Sequence, residues 1–154
     1  MKAIFAAVFI LVRALPVLHA DPAKEILVTP NDIKWVEAPA SLPKGAQMAI
    51  LEGDPTKEGP FVIRLKMPDG FRIMPHTHEK DERVTVISGT LYLGMGGVFD
   101  EKEGKALTAG SYGRTEAGMK HFGWMKGETV LQLHGTGPWT VSYVNPADDP
   151  RNKK

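Results

Sequence analysis

Two histidines and a carboxylate lie close together in the stretch from Gly70 to Gly89. His76 and His78 are two residues apart, and residues two apart on a β-strand point to the same face of a sheet. Each histidine can therefore aim one ring nitrogen at the same point. Glu82 follows after a short charged stretch and can bring a carboxylate to that point. Two imidazoles and a carboxylate that converge from a sheet predict a transition-metal site.

The remaining histidines offer a fourth ligand. His121 is the natural one, reached from a neighbouring strand, while His134 is a further candidate for the same pocket. Cysteine is absent, which excludes thiolate ligands, disulfides and cysteine nucleophiles, so any metal must be bound through nitrogen and oxygen. Three imidazoles and one carboxylate suit one divalent ion of iron, manganese, zinc, nickel or copper, and leave one or two positions for water or substrate. The alternative interpretation of His76 and His78 is a pair of exposed loop histidines beside a charged run.

Three residues are candidates for contact with a substrate. Strand alternation places Arg72 on the face of His76, where it could hold a carboxylate, although Pro75 could shift the register. Gln132 and His134 share one face of their strand, opposite the two leucines that alternate with them. Either the leucines fill the core and the polar pair is solvated, or the polar pair lines the pocket. In the pocket, Gln132 could orient a bound oxygen and His134 could act as an acid or base.

The elements that must position these residues are predicted to be short strands. No window has a sustained helical period, and apolar runs bounded by turn signals recur every eight to twelve residues, which is typical of an all-β sandwich or barrel. A turn is expected at residues 88–90, a short edge strand at 26–29, and a polar tail from about 146 that is frayed beyond Pro150. The clearest strands are expected at residues 47–52, 61–67, 72–78, 83–87, 129–134 and 139–144.

The first twenty residues differ from the rest of the chain. Lys2 precedes an apolar run from 3 to 12, and Ala20 ends the segment before a polar lead-in. The run is too short to span a bilayer but fits the core of a secretory signal peptide, with a buried N-terminal strand or helix as the alternative. We therefore predict export to the periplasm or medium, with residues 21–154 as a single domain. Removal of residues 1–20 would change the formal charge from +1 to −1. The mature protein is expected to bind neither nucleic acid nor membrane, since it has no basic run.

The focal stretch carries a family resemblance. Its spacing matches the first motif of the cupin superfamily position for position, at Gly70, His76, His78, Glu82 and Gly89. A later stretch resembles the second cupin motif, at Gly110, Glu116, Gly118 and His121. Glu116 stands where that motif usually has proline, and Met125 where it often has asparagine; neither position is a usual metal ligand.

The resemblance implies a cupin-type double-stranded β-barrel, or jelly roll, with little helix. It also implies one divalent metal bound through His76, His78, Glu82 and His121. The layout of the N-terminal part and the closing Gly-Thr-Gly-Pro-Trp look similar to bacterial single-domain cupins of the ChrR-like type.

Cupins with this ligand set are often metal-dependent dioxygenases that act on small oxygen-rich substrates, so the resemblance implies a dioxygenase-like oxidoreductase. Isomerases, lyases and non-catalytic metal-binding or sensor proteins share the same ligands and remain alternatives. Small cupins commonly pair through an N-terminal strand, which makes a homodimer through residues 26–28 the expected assembly.

Overall fold

The computed structural model describes residues 25–153. In this part of the chain the regular structure is nine β-strands and four short 3-10 helices, so the prediction of an all-β fold with little helix is confirmed. The helices cover Pro30–Asp32, Glu101–Glu103, Pro146–Asp148 and Pro150–Asn152. The strands are β1 (Val36–Glu37), β2 (Gln47–Glu52), β3 (Gly59–Met67), β4 (Arg72–Thr77), β5 (Glu82–Met95), β6 (Lys105–Thr108), β7 (Tyr112–Thr115), β8 (His121–Gly137) and β9 (Ser142–Tyr143).

The two longest strands form a ribbon that runs through the whole fold. β5 and β8 are antiparallel and pair from Arg83 opposite His134 to Met95 opposite His121. Their register shifts near Gly89, which has a φ of 75°, and a Cβ atom there would overlap the backbone of the partner strand. The prediction of a turn at residues 88–90 is therefore wrong. The glycine marks a β-bulge inside one continuous strand, because both flanking segments pair with β8.

The bent ribbon divides a curled antiparallel sheet into two layers. One layer contains β1, β2, β3, the second half of β8, the first half of β5, and β7. The other contains β9, β4, the first half of β8, the second half of β5, and β6. The strand β3 shows how the sequence specifies this arrangement, because its buried and half-exposed residues alternate along its length. Its inward side chains are Phe61, Ile63, Leu65 and Met67, each at most 3% exposed. Burial of each contributes about 1.5–3 kcal/mol to folding.

The N-terminal segment differs from the expectation. Residues 25–29 form no strand, since the described part of the chain provides no partner strand for them, and Ile26 and Leu27 are 52% and 78% exposed. The predicted signal peptide at 1–20 lies outside the described residues. No helix in residues 25–153 is long and apolar enough to cross a membrane.

The C-terminal tail is ordered where fraying was expected. Arg151 donates a hydrogen bond from Nη2 to the Val141 carbonyl at 3.1 Å and forms an ion pair with Asp149 at 2.7 Å. Two 3-10 turns continue the chain to Asn152. The final strand is shorter than the expected 139–144, because only Ser142 and Tyr143 pair with β4.

Candidate metal centre

The structure brings His76, His78, Glu82 and His121 together between the two layers. His76 lies on β4 opposite His121 at the start of β8, His78 follows β4 directly, and Glu82 begins β5. One ring nitrogen from each histidine lies within 4.8 Å of the others. The Glu82 carboxylate lies beside them, with Oε2 at 3.2 Å from His121 Nε2 and Oε1 at 3.6 Å from His78 Nε2.

The backbone fixes the orientation of all three imidazoles. Each Nδ1 atom lies at hydrogen-bond distance from a backbone carbonyl: Met74 O for His76 at 2.8 Å, Thr140 O for His78 at 2.6 Å, and Met119 O for His121 at 3.0 Å. A carbonyl oxygen only accepts, so each Nδ1 carries the proton and donates it. The neutral ring therefore keeps a lone pair on Nε2, the atom that binds metals in such arrangements.

Two of these Nε2 atoms are buried without a partner. Among the described residues, nothing makes a hydrogen bond of acceptable geometry to Nε2 of His78 or of His121. A buried polar atom left unsatisfied costs about 1–3 kcal/mol, so such atoms are normally paired. Neutral imidazole nitrogens beside an ionised carboxylate form a donor set that fits a divalent transition metal.

The electrostatics of the cluster favour neutral imidazoles at His76 and His78 beside a charged Glu82 carboxylate. Burial, followed by the nearby His121 and His78, lowers the pKa of His76 to about 3, and burial lowers the pKa of His78. Burial alone would raise the pKa of Glu82, but its contact with His121 and the positive charge that the three imidazoles can carry lower it to about 2. Burial opposes charge on His121 as well, yet its contact with Glu82 raises the His121 pKa. A cation bound through His121 Nε2 would therefore compete with a proton for that nitrogen.

Two further residues contact the cluster, although no motif in the sequence indicates that they do. Thr115 ends β7, is 2% exposed, and donates a hydrogen bond from Oγ1 to Glu82 Oε2 at 3.3 Å. Trp139 stacks on the His78 ring with centroids 4.5 Å apart. Both contacts join residues that are distant in the sequence, so spacing within a motif does not reveal them.

A small cavity adjoins the ligands. Its volume is about 40 Å³, enough for a few water molecules or a small ligand group. The ionisable side chains that line it, among the described residues, are His76, Glu82 and His121. His121, Gly123 and Met125 share this face of β8, as strand alternation predicts. The other walls are apolar: Ile73, Val84, Leu91, Leu93, Phe122, Met125 and Leu131.

Arg72 is not among the residues brought to this cavity. Its side chain is 55% exposed, forms an ion pair with Glu101 at 2.5 Å, and lies over the ring of Phe99. The register of β4 against β8 shifts between Ile73 and His76, so strand alternation does not carry across Pro75, and Ile73 lines the cavity instead.

Gln132 and His134 also lie away from the cavity. Leu131 and Leu133 are 4% and 3% exposed and belong to the core, which places the two polar residues on the opposite face of β8. Gln132 accepts a hydrogen bond from Arg64 Nε at 3.1 Å there. Of the two alternatives left open by the sequence, the leucines fill the core.

The sequence matches one family model. The ChrR cupin-like domain matches residues 23–140. No curated protein sequence matches this chain significantly.

Several solved structures share the fold. The polyketide cyclase RemF from Streptomyces resistomycificus is 17% identical, with a TM-score of 0.66 over 82% of this chain and 90% of that one. An acetylacetone dioxygenase from Acinetobacter johnsonii is 17% identical, with a TM-score of 0.62 over 89% and 88%. An RmlC-like cupin from Shewanella frigidimarina is 16% identical, with a TM-score of 0.57 over 73% and 91%. The fold predicted from the two sequence motifs, a jelly-roll barrel of the cupin type, is confirmed.

Proposed function

The chain belongs to the family of ChrR cupin-like domains, and on that premise we propose that it is a metal-dependent enzyme acting on a small oxygen-rich substrate. The proposed reaction class is that of a dioxygenase-like oxidoreductase. The observation that carries the proposal is the set of three Nδ1–H groups tied to backbone carbonyls, which leaves the three Nε2 lone pairs free beside the Glu82 carboxylate.

In this proposal each residue of the cluster has a stated task. His76, His78 and His121 supply neutral nitrogen ligands, and Glu82 supplies a negative charge that offsets part of the charge of the cation. Thr115 keeps the Glu82 carboxylate in one orientation through its hydrogen bond. A bound divalent metal would supply a Lewis acid for a chelating oxygen substrate and, if it is redox-active, a centre for dioxygen chemistry.

The composition of the cavity wall supports a metal-centred reaction. Apart from His76, Glu82 and His121, no ionisable side chain among the described residues lines the cavity. An isomerase or lyase commonly needs a protein acid or base within hydrogen-bond reach of its substrate. The apolar wall instead excludes water and fits the hydrocarbon part of a small substrate. One solved structure of this fold is an acetylacetone dioxygenase, so short 1,3-diketones are the first substrates to test.

The second candidate is a non-catalytic protein that binds a metal and a small ligand. The same apolar wall favours it, because the described part of the chain places no polar side chain beyond the ligands to orient a substrate for reaction. The fold itself is compatible with both functions.

Oxygen consumption separates the two candidates. The natively expressed protein is first analysed for bound metals, and the metal-free protein is then loaded separately with iron(II), manganese, nickel, copper or zinc. Each form is tested with acetylacetone and simple hydroxyketones in an oxygen electrode. We expect turnover with one metal, lost in His76→Ala and kept in His134→Ala, whose side chain lies on the other face of β8. Full metal loading without turnover across the panel would favour the binding protein.

Export and self-association complete the proposal. Residues 1–20 have the composition of a signal peptide, so we expect a periplasmic or secreted protein. The exposed apolar residues Ile26, Leu27 and Val28 support pairing of two copies through this segment. Fractionation of cells and light scattering of the purified chain test the two expectations.

A further inference from the structure

A groove lies between the edge strands of the two layers. Its volume is about 460 Å³, and its lining includes Lys105 and Leu107 of β6, Tyr112 and Gly113 of β7, and Leu93 of β5. β6 and β7 pair with different halves of β5 and belong to different layers. Within the described residues β6 and β7 do not pair with each other, so the groove lies where the edge strands of the two layers are left apart.

The groove and the cavity beside the metal ligands meet at Leu93 and Gly113. Leu93 lines both spaces. A Cβ atom on Gly113 would lie 3.3 Å from Val84 Cγ1, 3.6 Å from Leu107 Cδ1 and 3.8 Å from Leu93 Cδ2. Val84 lines the cavity and Leu107 lines the groove. The point in front of Gly113 is therefore bounded by residues of both spaces, and the missing side chain at position 113 leaves room there for about one methyl group.

We propose that this groove is the entrance to the metal centre, and that Gly113 and Leu93 set the size of the molecules that pass. Leu93 and Leu107 are only partly buried, so their side chains can change rotamer, whereas Val84 is 4% exposed and fixed in the core. The entrance would admit short, unbranched oxygenated molecules such as small diketones and exclude polycyclic ones. This inference rests on the function proposed above, because an entrance matters only if the cavity receives a substrate.

The entrance can be narrowed or widened by single substitutions. Gly113 is not in the left-handed region of φ, so the backbone accepts alanine, and the added methyl group would contact Val84, Leu107 and Leu93. Leu93→Ala removes the side chain shared by the two spaces. Ala106→Val serves as the control, since Ala106 lies on β6, is exposed and pairs with Tyr92 rather than lining the groove.

The test measures access to His76 in the metal-free protein. Diethyl pyrocarbonate modifies neutral imidazole nitrogens, and mass spectrometry of peptides gives a separate rate for each histidine. His76 lines the cavity, while His134 lies on the outer face of β8 and serves as the internal reference. We expect the ratio of the His76 rate to the His134 rate to fall severalfold in Gly113→Ala, to rise in Leu93→Ala, and to stay unchanged in Ala106→Val.

Two results would overturn the entrance. The first is a ratio of His76 to His134 rates that is unchanged in both Gly113→Ala and Leu93→Ala. The second applies if Gly113→Ala does not fold, and it is an unchanged ratio in Leu93→Ala. Zinc added to each variant separately tests the metal site on which the proposed function depends. Zinc should protect His76 from modification in every variant, and a failure to protect would contradict the metal site while leaving the metal-free access rates to decide the entrance.

Discussion

The indole of Trp139 lies nearly parallel to the imidazole of His78, with the ring centroids 4.5 Å apart and the planes inclined by 19°. Trp139 also packs against Phe61 in the core, with the ring centroids 6.2 Å apart. One face of His78, a candidate metal ligand, is thus held by a partly buried aromatic ring that packs against the core. The stack restricts rotation of the His78 imidazole. The hydrogen bond from His78 Nδ1 to the Thr140 carbonyl restricts it further.

This stack makes Trp139 a reporter of metal binding. A cation on His78 Nε2 changes the charge in contact with the indole, so we expect the tryptophan fluorescence to change in proportion to the metal bound. The chain has two other tryptophans, and Trp139→Phe identifies the source of the signal. A response that persists unchanged in Trp139→Phe would show that another tryptophan produces the signal and would contradict the expectation for Trp139.

Removal of the carboxylate should remove the metal. Glu82→Ala deletes the carboxylate that, among the described residues, contacts both His78 and His121. We expect metal content to fall from about one ion per chain to a small fraction of that value, because three neutral ligands hold a divalent cation less tightly. Elemental analysis after gel filtration measures this. His134→Ala is the matched control and should keep its metal; equal occupancy in the two variants would refute the assignment.

Thr115 should affect metal affinity without being a ligand. Thr115→Val keeps the shape of the buried side chain but removes the donor to Glu82 Oε2. We expect metal affinity to fall by about 10–100-fold, as is typical when a group that orients a ligand is lost. Competition with a chromogenic chelator gives the affinity. Thr108→Val, at an exposed position on β6, should leave the affinity unchanged.

Acid should destabilise the metal-free protein. Burial is the main cause of the lowered His76 pKa, from 6.5 to about 3, so below pH 6.5 the unfolded chain binds a proton that the folded chain does not. The stability that depends on neutral His76 is therefore complete above pH 6.5 and is lost as the pH falls towards 3. Glu82, whose pKa is lowered from 4.5 to about 2 against the effect of burial, adds a further loss below pH 4.5.

His121 acts in the opposite direction. Its pKa is raised, despite burial, by Glu82, so its contribution is present below pH 6.5 and lost as the pH rises through the folded value. Because the His76 shift is large, we expect urea denaturation to give a lower free energy of unfolding at pH 4.5 than at pH 7. The difference should shrink in His76→Gln; a difference of the same size in that variant would assign the pH dependence to other groups.

Chelation should weaken the protein without unfolding it. The core packs between the layers and includes Phe61, Ile63 and Val86. None of the candidate metal ligands belongs to this cluster. A metal that binds only the folded state raises stability in proportion to the logarithm of its concentration over its dissociation constant. We therefore expect a chelator to lower the melting temperature while the β-sheet circular dichroism at room temperature persists. Unfolding on chelation would instead identify a sealed structural metal site.

Local spacing was sufficient to predict the cluster of four side chains. His76 and His78 share a strand face, and the spacing to Glu82 and His121 matches the cupin motifs, so these residues could be found from the sequence. The prediction that Arg72 lies on the same strand face as His76 was wrong, because the register of β4 shifts between Ile73 and His76.

Other features depend on contacts that the sequence does not encode locally. The choice of face for Gln132 rests on how β8 packs, since either face of an alternating strand can point inward. Thr115 reaches Glu82 and Trp139 reaches His78 only after the chain has crossed between layers. The expected strand at 26–29 found no partner among the described residues.

The contact between Glu82 and His121 closes the β5–β8 ribbon into a loop. Glu82 begins β5, and His121 pairs with Met95 at the far end of that strand. Fully extended, β5 would hold these two places about 45 Å apart. In the fold, the carboxylate and the imidazole are 3.2 Å apart. A single ion bound by both residues would therefore link the two ends of the ribbon. Separation of the two layers would then require release of the ion.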